Sequence, residues 1–233
     1  MKKRIWELDA FRGLCIIGVV LVHLIYDLTE LYGVIQWTYP AWFSFIKDWG
    51  GILFLMLSGI CVTLGSHSVK RGFVVLGGGL ICTVATVLMW KNGFDKSIII
   101  YFGILHCLGV CMLLWPMYQA MPWWGLLFHG VAFAVGGFLI ADITASASWM
   151  AALGFAVKGF ASSDYFPLFP NLGFFLLGSA LGRLLYQKKK SLFPRVNEKS
   201  WFLRPLCFCG RHSLWIYLLH QPVLAGICML LTL

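Results

Sequence analysis

Charge is scarce in this sequence, and acidic charge is the scarcest. Only 12% of the 233 residues are charged, with 9 Asp or Glu against 18 Lys or Arg. Hydrophobic residues make up 60% of the chain, and the mean hydropathy is +0.84. A soluble domain of this length could not bury so much apolar surface. These values exclude a water-soluble protein and predict an integral membrane protein.

Polar linkers are also missing, and apolar stretches of membrane-spanning length follow one another along the chain. They lie at about 9–28, 50–66, 72–90, 98–117, 123–141, 168–187 and 212–232. We therefore predict an all-α, polytopic membrane helix bundle that forms a single domain over residues 1–233. It has about seven transmembrane helices, with a range of six to eight. The first stretch lacks a small-residue cleavage site, so we expect a retained helix rather than a signal peptide.

Basic residues are distributed unequally between the two faces that seven spans define. All Lys and Arg residues except Lys47, Lys91, Lys96 and Lys158 fall on the face that carries the N-terminus. The positive-inside rule therefore predicts a cytoplasmic N-terminus. Because these residues flank the spans and form no separate domain, we expect contacts with membrane lipids and no nucleic-acid partner.

The cysteines also lack the spacing that is typical of a metal site. Most of the eight cysteines lie inside apolar stretches, where they act as small apolar residues. Cys207 and Cys209 form a C-x-C pair, which is too little for a zinc site. We expect no metal.

Four ionisable residues of the first span lie on one helix face. At 100° per residue, Asp9, Arg12, His23 and Asp27 fall within an arc of about 60°. Each would be costly in contact with hydrocarbon, so we expect this face to turn toward protein or a wet cavity. His23 and Asp27 are four residues apart, the spacing that brings two side chains into contact. A histidine beside a carboxylate fits a general base, and it equally fits a proton relay in a transporter.

Further polar side chains of other segments are predicted to converge with this face in the outer half of the membrane. His106 lies in the fourth span, and Asp164 and Tyr165 lie in an external loop that contains two prolines. Along the last span, Ser213, Tyr217, His220 and Gln221 share an arc of about 100°. Near the cytoplasmic ends, Arg12 and Arg211 fit either lipid phosphate or a phosphorylated substrate.

Five segments of the chain resemble a known family. They are RIWELDAFRGLCIIGVVLVHLIYDL (4–28), ILFLMLSG (52–59), FGILHCLGV (102–110), DYFPLFPNLGFFLLG (164–178) and GRHSLWIYLLHQPV (210–223). In this order they resemble the catalytic domain of heparan-α-glucosaminide N-acetyltransferases, and most closely its compact bacterial members. The resemblance implies a membrane-embedded acyltransferase in the bacterial cytoplasmic membrane. Its donor would be cytosolic acetyl-CoA, and its acceptor a glycan or cell-envelope sugar at the outer side.

The resemblance also guides the roles of residues. His23 stands where the family's first-helix motif has an asparagine. The family's catalytic histidine follows that helix, where this chain has no histidine between His23 and His67. His23 is therefore the natural replacement as general base.

The remaining candidates divide between three roles. The expected catalytic residues are His23, Asp27, His106 and Asp164. The residues expected to bind acyl-CoA are Arg12, Arg211 and His212. Contact with the acceptor substrate or the oxyanion is expected from Tyr165, Tyr217, His220 and Gln221. Both direct transfer and an acetyl-histidine intermediate fit these residues.

Two other functions fit the sequence. One is a proton-coupled transporter or lipid flippase that uses His23 and Asp27 as a relay, although seven spans show no evident inverted repeat. The other is a non-catalytic scaffold or sensor, which would not need ionisable groups on one face. Finally, Gly178 and Gly182 form a G-x-x-x-G step that permits close helix packing and is compatible with a homodimer.

Overall fold

The structure, a computed structural model, describes residues 4–196 and 200–231, except for the side chain of Asp48. The basic residues Lys2, Lys3 and Lys199, which enter the orientation argument, lie outside this part of the chain. The protein is 72% helical and nearly all-α, as predicted.

Eight α-helices occur in the described residues. They are α1 (Trp6–Tyr26), α2 (Ala41–Leu64), α3 (Ser68–Lys91), α4 (Ile104–Tyr118), α5 (Trp123–Ile140), α6 (Leu168–Leu185), α7 (Leu203–Arg211) and α8 (Ser213–Leu231). A π-helix, Asp27–Leu31, continues α1, and two short parallel strands, β1 (Thr144–Ala145) and β2 (Ala156–Val157), pair in the loop after α5.

Six helices are long and apolar enough to span a membrane: α1 with its π-helical extension, α2, α3, α5, α6 and α8. The fourth predicted span is represented by the shorter apolar helix α4, of 15 residues. At 1.5 Å per residue α4 is about 22 Å long, less than the hydrocarbon thickness of about 30 Å. The prediction of a helical membrane protein is confirmed, and α4 as a seventh span stays a prediction.

Two of the predicted boundaries were wrong. Helix α2 begins at Ala41 rather than near residue 50, because a polar stretch that includes Lys47 hides its first turns from a hydropathy criterion. Helix α4 begins at Ile104 rather than near residue 98. Residues Lys96–Ile98 form a 3-10 helix, and the segment 99–103 that follows is not helical. In this segment the Ile100 amide donates to Thr86 Oγ1, and the Ile100 carbonyl accepts from Thr83 Oγ1.

The chain divides into two compact units, each with its own packing. One comprises residues 1–54 and 189–233, and the other residues 55–188. In the first unit, α1 packs against α7 and α8. In the second, α5 packs against α6 and α3 against α4.

Small residues allow these helices to approach closely. In the second unit, a Cβ at Gly173 would overlap the backbone of Ala134, and a Cβ at Gly178 would overlap the backbone of Met56. Gly182 meets Ile60 and Thr63 in the same way. The G-x-x-x-G step is thus used for packing within the chain, and a homodimer stays a prediction without support from this step.

Candidate active site

Helix α1 begins with a cluster of arginines around one buried carboxylate. Asp9 is 8% exposed, and its oxygens lie 3.8 Å from Arg4 Nη1, 3.8 Å from Arg12 Nη1 and 3.4 Å from Arg211 Nε. We call Arg4, Arg12 and Arg211 the arginine cluster. Three positive charges face the single carboxylate of Asp9, so this group of four side chains has an excess of two positive charges.

The arginine cluster depends on close contact between α1 and α7. A Cβ at Gly13 would overlap the carbonyl oxygen of Leu206, and a Cβ at Gly210 would overlap that of Asp9. With only hydrogen at both positions, the two helix backbones touch, and Arg211 at the end of α7 reaches Asp9.

The second acidic residue of this helix turn, Glu7, is engaged by uncharged donors. Its two carboxylate oxygens accept hydrogen bonds from the Ser191 hydroxyl (2.8 Å) and from the Leu192 amide (2.7 Å). The Trp6 indole donates to the Phe193 carbonyl at 3.3 Å. Glu7 and Trp6 thus anchor the 191–193 segment, and Glu7 makes no ion pair with the arginine cluster in the described part of the chain.

The other end of α1 carries a pair of histidines. The rings of His23 and His220 lie edge to face, with centroids 4.9 Å apart. Asp27 is fully buried, and both of its carboxylate oxygens accept from Gln221 Nε2, at 3.0 and 2.9 Å. The expected contact partner of Asp27 was His23; within the described residues its side-chain hydrogen bonds come from Gln221 instead. We call His23 and His220 the histidine pair.

Backbone geometry determines which nitrogen of His220 carries the proton. His220 Nδ1 lies 2.5 Å from the Tyr217 carbonyl oxygen, which can only accept, so Nδ1 is the protonated nitrogen and Nε2 holds a lone pair.

Outside the membrane-spanning segment, burial and the nearby charge of Asp27 raise the pKa of Tyr32.

Three side-chain contacts of α1 with residues 211–221 have the same order along both segments. Asp9 meets Arg211, His23 meets His220, and Asp27 meets Gln221. Helix α8, which begins two residues after Arg211, therefore runs in the same direction as α1. One end of this pair carries the arginine cluster, and the other carries the histidine pair.

His106, in the second unit, has partners from the chain for both ring nitrogens. Nδ1 accepts from the Gly103 amide at 3.2 Å, so Nε2 carries the proton and donates to Thr83 Oγ1 at 3.1 Å. The Thr83 hydroxyl donates in turn to the Ile100 carbonyl at 2.7 Å. Gly79 makes room for the ring, because a Cβ there would lie 2.9 Å from Nδ1. These bonds hold the start of α4 against α3.

The two candidates in the loop before α6, Asp164 and Tyr165, also bind backbone in the second unit. Asp164 Oδ2 accepts from the amide of Ile104, the first residue of α4, at 3.1 Å. A carboxylate at a helix N-terminus is stabilised by the helix dipole. The Tyr165 hydroxyl donates to the Ala151 carbonyl at 2.7 Å, and burial raises the pKa of this phenol.

The structure thus distributes the predicted site residues over two groups. The first unit holds Arg12, His23, Asp27, Arg211, His212, Tyr217, His220 and Gln221; the second holds His106, Asp164 and Tyr165. His212 is exposed, and its Nδ1 lies 2.9 Å from the Phe208 carbonyl. In the described residues no group of three His, Cys, Asp or Glu side chains is placed to hold a metal ion.

Two features of the first unit were missed in the sequence. Arg4 was counted only as a flanking charge, and the short helix α7 is too brief to register as an apolar stretch. The signal available for the first was the spacing of Arg4 and Arg12 on either side of Asp9. Pairing of Asp9 with Arg211, 202 residues away, has no local signal.

Comparison with known proteins identifies the family. No curated protein and no solved structure matches the chain. The family model described as heparan-alpha-glucosaminide N-acetyltransferase, catalytic, matches residues 4–222. This range includes the arginine cluster, the histidine pair and Asp27. The chain belongs to the heparan-alpha-glucosaminide N-acetyltransferase catalytic-domain family, as the resemblance implied.

Proposed function

We propose that this protein transfers an acetyl or other acyl group from cytosolic acyl-CoA to an acceptor at the opposite side of a bacterial cytoplasmic membrane. The proposed acceptor is a glycan or a cell-envelope sugar. One observation carries the proposal: the parallel helices α1 and α8 have a cationic cluster at one end and two apposed histidines further along. Membership of an N-acetyltransferase family supports the reaction class.

The arginine cluster is the proposed site for the donor's phosphates. Its excess of two positive charges suits a polyanion, and guanidinium groups bind phosphate oxygens through paired N–H donors. Arg12 and Arg211 each use one nitrogen toward Asp9, and this leaves other N–H groups for a ligand. His212, next to Arg211, is exposed at the same end of the segment. The positive-inside prediction assigns this end to the cytoplasm.

Helix geometry relates the two ends to the length of the donor. Arg12 and His23 are eleven residues apart, which is about 16 Å along α1. An extended pantetheine arm can cover that distance. A phosphate group at the arginine cluster is therefore compatible with a thioester beside His23.

His23 is the proposed general base. As the acceptor's oxygen or nitrogen attacks the thioester carbonyl, its proton moves to His23; the acyl carbon–sulfur bond then breaks, and the proton goes to the departing thiolate. Asp27 supplies negative charge one turn from His23, which favours the imidazolium. Tyr217 is the proposed donor to the oxyanion. His106 and Asp164 are proposed to maintain the fold around α4, because their hydrogen bonds go to the backbone and to Thr83.

The test is release of free coenzyme A from radiolabelled acetyl-CoA by the purified protein, with and without sugar acceptors. His23→Ala should lower turnover by about 10²–10⁴-fold, the usual contribution of a general base. Leu21→Ala is the matched control, because Leu21 lies on the same helix and is 51% exposed. A His23→Ala variant that keeps more than half of the control's turnover removes His23 from the mechanism.

A proton-coupled transporter or lipid flippase is the second candidate. The observation that favours it is the full burial of Asp27, which makes no ion pair in the part of the chain the structure describes. Buried carboxylates of this kind serve as proton relays in membrane transporters. Substrate uptake into vesicles that depends on a proton gradient, without release of coenzyme A, would favour this function.

A further inference from the structure

Two buried hydrogen-bond acceptors in the first unit lack partners. They are His220 Nε2 and Gln221 Oε1, and neither has a hydrogen-bond partner among the described residues. His220 is 8% exposed. Buried polar atoms are almost always paired, so an unpaired pair on adjacent residues indicates a position that a ligand completes.

His220 has already committed its donor, and Gln221 shares one of its two N–H groups between the oxygens of Asp27. The Nδ1 proton of His220 goes to the Tyr217 carbonyl, and Gln221 Nε2 donates to both oxygens of Asp27. An ionised carboxylate has no proton to give, so the amide nitrogen of Gln221 must face Asp27 and its oxygen must face away. In this arrangement the neutral ring of His220 has no donor left for an oxyanion, and the carbonyl oxygen of Gln221 can only accept. Their free atoms accept, and they lie beside a negative charge.

The position of these acceptors relates them to the histidine pair. His220 packs against His23, and Gln221 contacts Asp27, one helical turn further along α1. Four residues of α1 correspond to about 6 Å. This is comparable with the width of a single hexose ring.

We propose that His220 Nε2 and Gln221 Oε1 form an acceptor subsite that holds the substrate through two of its own O–H or N–H groups. The ligand class is a neutral or cationic polyol or amino-alcohol, such as a sugar with neighbouring hydroxyl or amine groups. The negative charge of Asp27 disfavours a carboxylate or phosphate at this position. If the proposed acyl transfer holds, on which this consequence rests, the bound substrate presents its reacting hydroxyl or amine to His23.

The subsite makes a prediction that separates binding from chemistry. A residue that holds the acceptor in both the ground state and the transition state affects the KM for that acceptor more than kcat. His220→Phe keeps an aromatic ring against His23 and removes the acceptor nitrogen. It should raise the KM for the sugar and leave the KM for acyl-CoA near its original value.

Binding can be measured without any acyl donor. Full-length protein in detergent is titrated with methyl glucopyranoside and with its fully O-methylated derivative, and saturation-transfer NMR reports binding. The methyl ethers keep the ring and its oxygens but have no donors. We expect the methylated probe to bind about tenfold more weakly or worse, because a site built to bond a hydroxyl discriminates against an analogue without it.

The matched control is Leu219→Ala, since Leu219 is the neighbour of His220 and is 59% exposed. His220→Phe should abolish the preference for the unmethylated probe, and Leu219→Ala should retain it. Equal binding of the two probes by the original protein overturns the proposal, and this comparison needs no variant to fold. A preference that persists in folded His220→Phe also overturns it.

Lipid headgroups can carry the same chemistry, and a second arm distinguishes them. If nanodiscs of phosphatidylglycerol, but not of phosphatidylcholine, displace the glucoside in a His220-dependent way, the glycerol hydroxyls of a lipid are the source of the donors. The outcome for the proposed function is separate. His220-dependent polyol binding without any release of coenzyme A supports the subsite and contradicts acyl transfer. Release of coenzyme A by a protein that binds both probes equally supports acyl transfer and contradicts the subsite.

Discussion

Substitution of Gly210 by alanine tests the contact on which the arginine cluster depends. An added Cβ would overlap the carbonyl oxygen of Asp9, so α7 must move away from α1. Overpacking of this kind typically costs about 1–3 kcal/mol. The same displacement lengthens the 3.4 Å contact between Arg211 Nε and Asp9, and it should therefore weaken the cationic end of the site as well.

The assay is thermal unfolding of the purified protein in detergent, followed by the KM for acyl-CoA. For a chain of this size each kcal/mol corresponds to about 2–4 °C in Tm, so we expect a loss of several degrees. Gly18→Ala and Gly226→Ala are the controls, because a Cβ at either position meets nothing within 4 Å. Both should leave Tm unchanged or raise it, since alanine favours a helix by about 0.5–1 kcal/mol over glycine. A Gly210→Ala protein as stable as these controls would refute the close approach of α1 and α7.

Three further predictions concern the proposed reaction and the topology. Asp27→Asn should lower kcat strongly with a smaller effect on acyl-CoA binding, because the lost charge lies beside the histidine pair; single-turnover and binding measurements separate the two. Arg12→Ala and Arg211→Ala should raise the KM for acyl-CoA with little change in kcat at saturation, and a fall in kcat alone would contradict a phosphate-binding role. In a protein without its native cysteines, Lys96→Cys and Gln119→Cys should react with an impermeant thiol reagent from opposite sides of the membrane. Labelling of both from one side would show that α4 does not cross.

Hydropathy alone predicted the bounds of helices α5 and α6. The stretch 123–141 became α5, and 168–187 became α6, each within two residues. Pro122 and Pro167 directly precede these helices, where a proline is well tolerated. The start of α4 could not be found this way, because residues 99–103 are apolar enough for a helix but are held outside it, with Ile100 bound by two threonines of α3.

Periodicity predicted which residues of α1 share a face, but not what each would contact. The carboxylate of Asp27 is bound by Gln221, 194 residues away in the chain, although His23 lies one turn before it. A single sequence contains no signal for pairing at that separation. It could not reveal the hydrogen-bonding state of His220 either, because this depends on the distance between one ring nitrogen and the Tyr217 carbonyl.

The shared direction of α1 and α8 bears on the number of spans. Two helices in one chain can cross a membrane in the same direction only if an even number of crossings takes place from the end of the first to the end of the second. The long helices α2, α3, α5 and α6, followed by α8, give five crossings, which would make α8 antiparallel to α1. The contacts of Asp9 with Arg211 and of His23 with His220 require a parallel arrangement. A crossing of α4 gives an even number, so α4 as a seventh span stays our prediction, and the cysteine labelling described above tests it. In that arrangement the 15 residues of α4 would be too short alone, and the preceding segment bound by Thr83 and Thr86 would cover the remaining thickness with backbone whose polar groups are paired inside the protein.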